Sequence, residues 1–228
     1  DTVVTVVLPD GRRVPARVTP HAHVDPEGTR LRPADAGQVG PVRDTGTPVA
    51  RSPLGPAAPR SDAALVLADL SLVEKTHVRA PHDGKVATAL GTGFGRAVRD
   101  ADGTLVIGSG PGEWLVLGSG VGERLAGSDE FVSVVDLTHG RAMVRLRGAD
   151  SKRVLAKLCA IDLADDVTPD GAALRTSVAK LVTDIVRDDV DGLPSYLLHC
   201  ERSSGRYLAD ALLDAGAEFG IEPTSSDE

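Results

Sequence analysis

The sequence predicts an α+β fold, with antiparallel sheets carrying helices on one face. Two observations predict it. Within VVDLTHGRAMVRLRGADSKRVLAKLCAIDL, Val134 to Leu163, the hydrophobic period changes from two to nearly four. From residue 131 onward the elements then follow as strand, strand, helix, strand, strand, helix, and residues 63–126 carry a fainter version of that order, compatible with two similar halves.

Taken in order, DTVVTVVLPDGRRVPARVT at the start predicts a hairpin. Val3 to Leu8 and Arg12 to Val18 are rich in β-branched residues, and Pro9-Asp10-Gly11 supplies the turn chemistry between them. From Pro20 to Pro59 no hydrophobic period survives among Pro, Gly, Asp and Arg, which is the composition of a linker or wrapping arm. The globular part is expected to begin near Arg51, dividing the chain into a hairpin and extended arm at 1–48 and an α+β domain at 49–228.

Leu65, Leu67, Leu70, Leu72 and Val73 form a run without a clean period, taken as a short turn or helix that leads into a strand at Thr76 to Ala80. Val86 to Leu90 is expected to be helical until the glycines of GTGFGR stop it. Thr104 to Ile107 and Glu113 to Leu117 make a hairpin around GSGPG, Glu123 to Ala126 one helical turn, and Phe131 to Leu137 the next strand.

In the central stretch, Ala142, Val144 and Leu146 alternate with Met143, Arg145 and Arg147, as in a strand with one buried face. After Gly148, Asp150 is placed to cap a helix whose apolar stripe is Val154, Leu155, Leu158 and Ile161. Val178 to Arg187 reads as one strand, DDVDG as a turn, and Ser195 to Cys200 as the returning strand. Ser203 or Ser204 then caps a last helix with Tyr207, Leu208, Ala211, Leu212 and Phe219 on one face, closing at Gly220.

Composition narrows the function classes. Aromatics are only 3% of the 228 residues, so the core must be built from Val, Leu and Ala. Lys plus Arg is 25 against 33 Asp plus Glu, a net charge of −8, which repels phosphate backbones and anionic lipid and argues against a nucleic-acid partner. No apolar run long enough to span a bilayer and no charged-then-apolar leader is visible, so the expected location is the cytoplasm. The two cysteines, Cys159 and Cys200, cannot form a zinc ribbon or a disulfide framework, and are expected as buried reduced thiols.

Several groups invite a chemical role. His21 and His23 have the spacing to chelate zinc, but no third ligand lies near in sequence, and a polar loop is the expected reading. The clusters GTGFG (91–95), GSGPG (108–112) and GSGVG (118–122) fall one residue short of the dinucleotide fingerprint and are taken as turn glycines. Ser133, Asp136 and His139 are close in sequence, which is not evidence for a triad, and Asp136 and Thr138 are read as a strand end and turn. Asp188, Asp189 and Asp191 are read as a solvated hairpin tip. Asp162 follows the central helix, where the dipole disfavours a carboxylate; this could suit it to proton transfer, and the competing reading is a solvated loop residue.

Four ordered segments carry a resemblance. DLTHGRAMVRLRGADSKRVLAKLCAIDL, together with RSPL (51–54), GEWLVLG (112–118) and LLDAGAEFG (212–220), closely resembles the gamma subunit of heterotetrameric sarcosine oxidase over about Arg51 to Glu222. More remotely it looks like the folate-binding fold of the glycine-cleavage aminomethyltransferase. The resemblance implies a small assembly subunit without a cofactor of its own. Partner alpha, beta and delta subunits would hold FAD, FMN, NAD, folate and zinc, in a complex that oxidises the N-methyl group of sarcosine to give glycine, a one-carbon unit and hydrogen peroxide. It assigns this chain no catalytic, cofactor-binding or metal residue. Under the alternative, a folate-dependent aminomethyl transferase, Asp162 would be catalytic, although the Gly-Gly-[Ile/Val]-x-Asp-Asp segment of that enzyme is replaced here by SVAKLVTDIVRDD.

Overall fold

A computed structural model describes residues 2–7, 11–18, 49–56, 58–125 and 127–225, in two units, Asp1–Val49 and Ala50–Glu228. In the first unit β1 (Thr2–Val7) and β2 (Arg13–Val18) pair antiparallel, with Thr2 opposite Val18 and Val7 opposite Arg13. This is the expected hairpin, and Gly11 turns into it at φ +82°, where only glycine is unstrained. The remainder of the arm to residue 48, His21 and His23 included, lies outside the described residues.

The second unit contains two sheets. Its strands are β3 (Leu65–Asp69), β4 (Lys75–Arg79), β5 (Ala97–Arg99), β6 (Leu105–Gly110), β7 (Glu113–Leu117), β8 (Ser133–Asp136), β9 (Arg141–Gly148), β10 (Ala173–Val178), β11 (Leu181–Arg187), β12 (Ser195–Glu201) and β13 (Glu222–Ser225). The larger sheet has the order β10-β11-β12-β9-β3-β13, antiparallel except where β13 runs parallel to β3. The smaller has the order β5-β6-β7-β4-β8 and is antiparallel throughout. Helices α1 (Lys85–Leu90) and α2 (Val121–Leu125) belong with the smaller sheet, α3 (Ser151–Leu158) and α4 (Gly205–Gly216) with the larger.

Three apolar clusters stack these elements into four layers. Leu146, Leu198 and Ile185 pack under α3 and α4 through Val154, Leu155, Leu208 and Leu212. Met143, Val186 and Leu197 of the larger sheet meet Leu105, Ile107 and Leu115 of the smaller. Val78, Val106, Trp114 and Val116 then face α1 and α2 through Val86 and Val121. Each sheet therefore carries helices on one face and its companion sheet on the other, so the two halves do repeat one plan.

That second sheet explains where local reading fails. β9 buries both faces rather than one, because Met143 and Arg145 on its alternate face are covered by the smaller sheet. Leu65–Asp69 is a strand and not a turn or helix, its Leu65 and Leu67 on one apolar cluster while Leu70 enters the next. The strand expected over 178–187 is β11 from Leu181 onward, but its first residue, Val178, closes a separate, unforeseen strand, β10; a turn at Ala179 and Lys180 with φ +48° and +68° joins the two. Such a turn normally announces itself with Asn-Gly or Gly.

The helix ends also differ from expectation. Asp150 occupies the first cap but makes no side-chain cap bond; its carboxylate pairs with Arg153 at 2.8 Å. Ser151 Oγ donates instead to the Gly148 carbonyl, 2.6 Å. The helix stops at Leu158, leaving Ile161 beyond it, half-buried against the same core. α4 ends at Gly216 and a short 3₁₀ turn carries the chain to Gly220, φ +68°, after which β13, unforeseen, pairs with β3.

The chain passes between sheets at one corner, through the turns β3 to β4 and β8 to β9. Lys75 sits there, fully buried, its ammonium donating to the carbonyls of Val73 (2.6 Å), Ser71 (2.9 Å) and Leu70 (3.5 Å). Leu137 N–H donates to the Lys75 carbonyl and Lys75 N–H donates to Thr138 Oγ1, so the two crossing turns are tied together. The segment before β3 is fixed as well: Arg202 and Arg206 donate to the carbonyls of Arg51 and Leu54.

Candidate functional site

The polar residues that come together in a cleft lie on the strands facing the smaller sheet. Register puts Asp184 of β11 between Arg175 of β10 and His199 of β12. Asp184 accepts from Arg175 Nε (2.7 Å) and Nη2 (3.1 Å), a bidentate pair that holds the guanidinium above its ordinary range. His199 Nδ1 lies 3.4 Å from Asp184 Oδ2, within ion-pairing range, but is not aligned for a hydrogen bond and has no partner. The remaining walls are apolar, from Ile107 and Ala173 to Phe94 at the exposed mouth.

The electrostatics decide what this cluster can do. Burial pushes His199 down to about 4, outweighing the attraction of Asp184, so at neutral pH the imidazole is uncharged. A base that weak is far from the operating pH that proton transfer favours. Arg175 already neutralises Asp184. The space left among the lining side chains, ≈ 20 Å³, holds about one water molecule and is too small for an organic substrate.

Other expected residues are dispersed. Asp162 is exposed beyond α3; its carboxylate accepts from Ala164 N–H at 2.9 Å and its carbonyl from Thr168 Oγ1 at 2.7 Å, a local turn. His139 is exposed in the turn after β8, and Arg141 pairs with Glu201 at 2.9 Å. Asp136 accepts from Thr138 N–H at 2.7 Å, and the Thr138 hydroxyl with that N–H holds its carboxyl below the usual range, which bears out a strand end and turn. Cys200 is buried and Cys159 half-buried, both as free thiols. The glycine clusters serve turns, with positive φ at Gly91, Gly95, Gly112, Gly118 and Gly120. Gly108 has a separate reason: a Cβ there would fall 1.9 Å from the Gly93 carbonyl oxygen.

The acidic stretch after β11 is not a solvated tip. Asp188 is buried and binds two arginines, Arg99 of the smaller sheet (2.6 and 3.2 Å) and Arg145 of the larger (2.9 Å). Asp189 pairs with Arg187 at 2.9 Å, and only Asp191 projects into solvent, at φ +54°. Asp188 thus staples the two sheets across a cleft at the β5 side. Among the described residues, no group of three or more His, Cys, Asp or Glu is arranged to hold a metal ion.

Asp184, His199 and Arg175 are the residues that sequence reading missed. The available signal was a polar residue inside an apolar run, TDIV and LLHC, and it does not distinguish a buried pair from an exposed face without the second sheet.

Fold and site together define an aminomethyltransferase-like α+β domain in which the space beside His199 is small. The particular likeness is to heterotetrameric sarcosine oxidase. A chain of that enzyme from Corynebacterium sp. U-96, in complex with pyrrole 2-carboxylate, superposes with a TM-score of 0.63 at 23% identity, covering 76% of this chain and 97% of that one. The glycine cleavage system aminomethyltransferase T of Bartonella henselae gives 0.53 at 17% identity, over 71% of this chain and 48% of that one. In sequence, an aminomethyltransferase of Geobacillus thermodenitrificans (strain NG80-2) is 31% identical over 96 residues, 42% of this chain. The match spans only 26% of that curated relative. No protein-family model matches the chain. Among the described residues no helix is long and apolar enough to cross a membrane.

Proposed function

We propose that this chain is the gamma-type structural subunit of a heterotetrameric sarcosine oxidase-like complex, serving assembly rather than chemistry. The observation that carries the reading is coverage: the fold accounts for nearly all of the sarcosine oxidase chain but less than half of aminomethyltransferase T. The cleft supports it, since Arg175, Asp184 and His199 leave room for about one water. Residues 1–48 would be an added arm. Alpha, beta and delta partners would hold the FAD, FMN, NAD, folate and zinc, and the complex would demethylate sarcosine in the cytoplasm.

Purification from the native host, with subunits identified by mass, tests this directly. The expected result is a complex of four different chains containing this one, and deletion of this chain should lower the yield of assembled oxidase.

A second reading, folate-dependent aminomethyl transfer, draws on the 96-residue match to an aminomethyltransferase. Its test is calorimetric titration of the isolated chain with tetrahydrofolate. Binding that disappears in Asp162→Ala would overturn the assembly reading in its favour.

A further inference from the structure

The second unit leaves one sheet edge unguarded. At the edges of the larger sheet, β13 carries Glu222 and Pro223, and β10 is partly covered where Ala173 N–H donates to the Gly95 carbonyl at 3.0 Å and Ala97 N–H to the Gly171 carbonyl at 2.7 Å. Beyond that cover β10 is polar, with Arg175, Thr176 and Ser177. In the smaller sheet β5 is only three residues long and ends in Arg99. These are the usual protections against edge pairing. β8 has neither proline nor cation, and among the described residues no strand pairs with its outer side.

The same segment also exposes apolar side chains. Phe131 is 79% exposed, Val135 46% and Val134 38%. The backbone alternation is fixed by Leu137, whose N–H donates to the Lys75 carbonyl of β4 at 2.8 Å. Val135 opposes His77 and Ser133 opposes Arg79, so they bond inward in the same phase, leaving the N–H and C=O groups of Val134 and Asp136 directed away from the sheet.

We propose that β8 is a strand-addition site that takes an extended segment of a partner polypeptide, apolar in the middle and flanked by Lys or Arg. Charge selects that occupant. The stretch Asp129 to Asp136, DEFVSVVD, holds three carboxylates and no cation. Asp129 has a partner in Lys85 at 2.6 Å, while Glu130 accepts from the first N–H groups of α1. A second copy pairing here would bring two such acidic ribbons together on chains of net charge −8, and like charges across strands oppose pairing. A basic-flanked strand meets the Asp136 carboxylate at one end and, at the other, the Asp129–Glu130 pair already engaged by Lys85 and α1, and it continues the sheet through main-chain hydrogen bonds.

The inference rests on the assembly reading for its biological partner, but its test does not. The full chain is mixed with the synthetic peptide KVTVTVK, and amide hydrogen exchange is followed at Val132, Val134 and Asp136. The peptide is expected to slow exchange there at least tenfold, and the Glu-flanked EVTVTVE to bind at least tenfold more weakly. Val134→Pro removes an N–H that faces outward, so the sheet keeps its bonds to β4 while peptide binding falls at least tenfold. Unchanged exchange at these amides, or equal binding of the two peptides by the wild type, overturns the proposal without recourse to any variant. Protection that depends on protein concentration alone would mean a second copy is the occupant and overturn it too. If the four-chain complex assembles equally well with Val134→Pro, β8 is not its joint, and the assembly reading stands while this one falls.

Discussion

Replacing Lys75 by Met separates two opposing effects at the corner between the sheets. The substitution keeps the buried stem but removes the donor to the Val73 and Ser71 carbonyls, which lie 2.6 and 2.9 Å away. Leaving the buried Ser71 carbonyl and the half-buried Val73 carbonyl unmet costs about 4 kcal/mol in total. Against this stands the burial of the ammonium itself. Burial lowers Lys75 from 10.5 to about 8, despite the pull of Asp69 and Asp136. That fall corresponds to about 3 kcal/mol by which the charged form disfavours folding. Because the folded value lies below the unfolded one, the unfolded chain binds the extra proton between pH 8 and 10.5, and the wild type gains stability as pH rises through that window. Lys75→Met should therefore cost about 1 kcal/mol at pH 7, growing to about 4 kcal/mol by pH 10.5. Urea denaturation of both proteins at matched pH values measures the difference, and comparing them cancels every other titrating group. A difference that is flat or shrinks as pH rises would refute the account.

Three further outcomes follow from the same geometry. Asp188→Ala strands the buried Arg145, and the cost expected in urea denaturation is about 3–5 kcal/mol, with Arg145→Met restoring part of it in the double variant. His199 is held at about 4 by burial, below its ordinary 6.5, so the wild type should lose up to about 3 kcal/mol as pH falls from 6.5 to 4. In His199→Leu that acid-side loss should shrink, as read from thermal melts across the window. Changing Ala179-Lys180 to Asn-Gly suits the positive φ of that turn and should raise stability by about 1 kcal/mol; a lower melting temperature would count against the turn assignment.

The local elements were legible where a short-range rule carries them. The first hairpin, the strand at 142–147, the helix containing Val154 and Leu155, and the last helix over Leu208 and Leu212 all follow from period and turn residues. Where a non-local partner set the conformation, the same rules misread the chain. The turn at Ala179 and Lys180 lacks the residues its φ values favour and is held by the pairing of β10 with β11. β13 exists because β3 offers it a free edge.

The sequence by itself determined the α+β order, the aliphatic core and the net negative charge, because these depend on residue type and spacing along one element. Tertiary structure alone decided that the strands form two sheets packed face to face. This converts alternate positions taken as exposed into buried ones, since a strand's second face is covered or not by residues far away in sequence. It also decided which polar groups meet. Lys75, Asp184, Asp188 and His199 are each separated in sequence from the elements that bury them, and no periodicity within a strand records that distance.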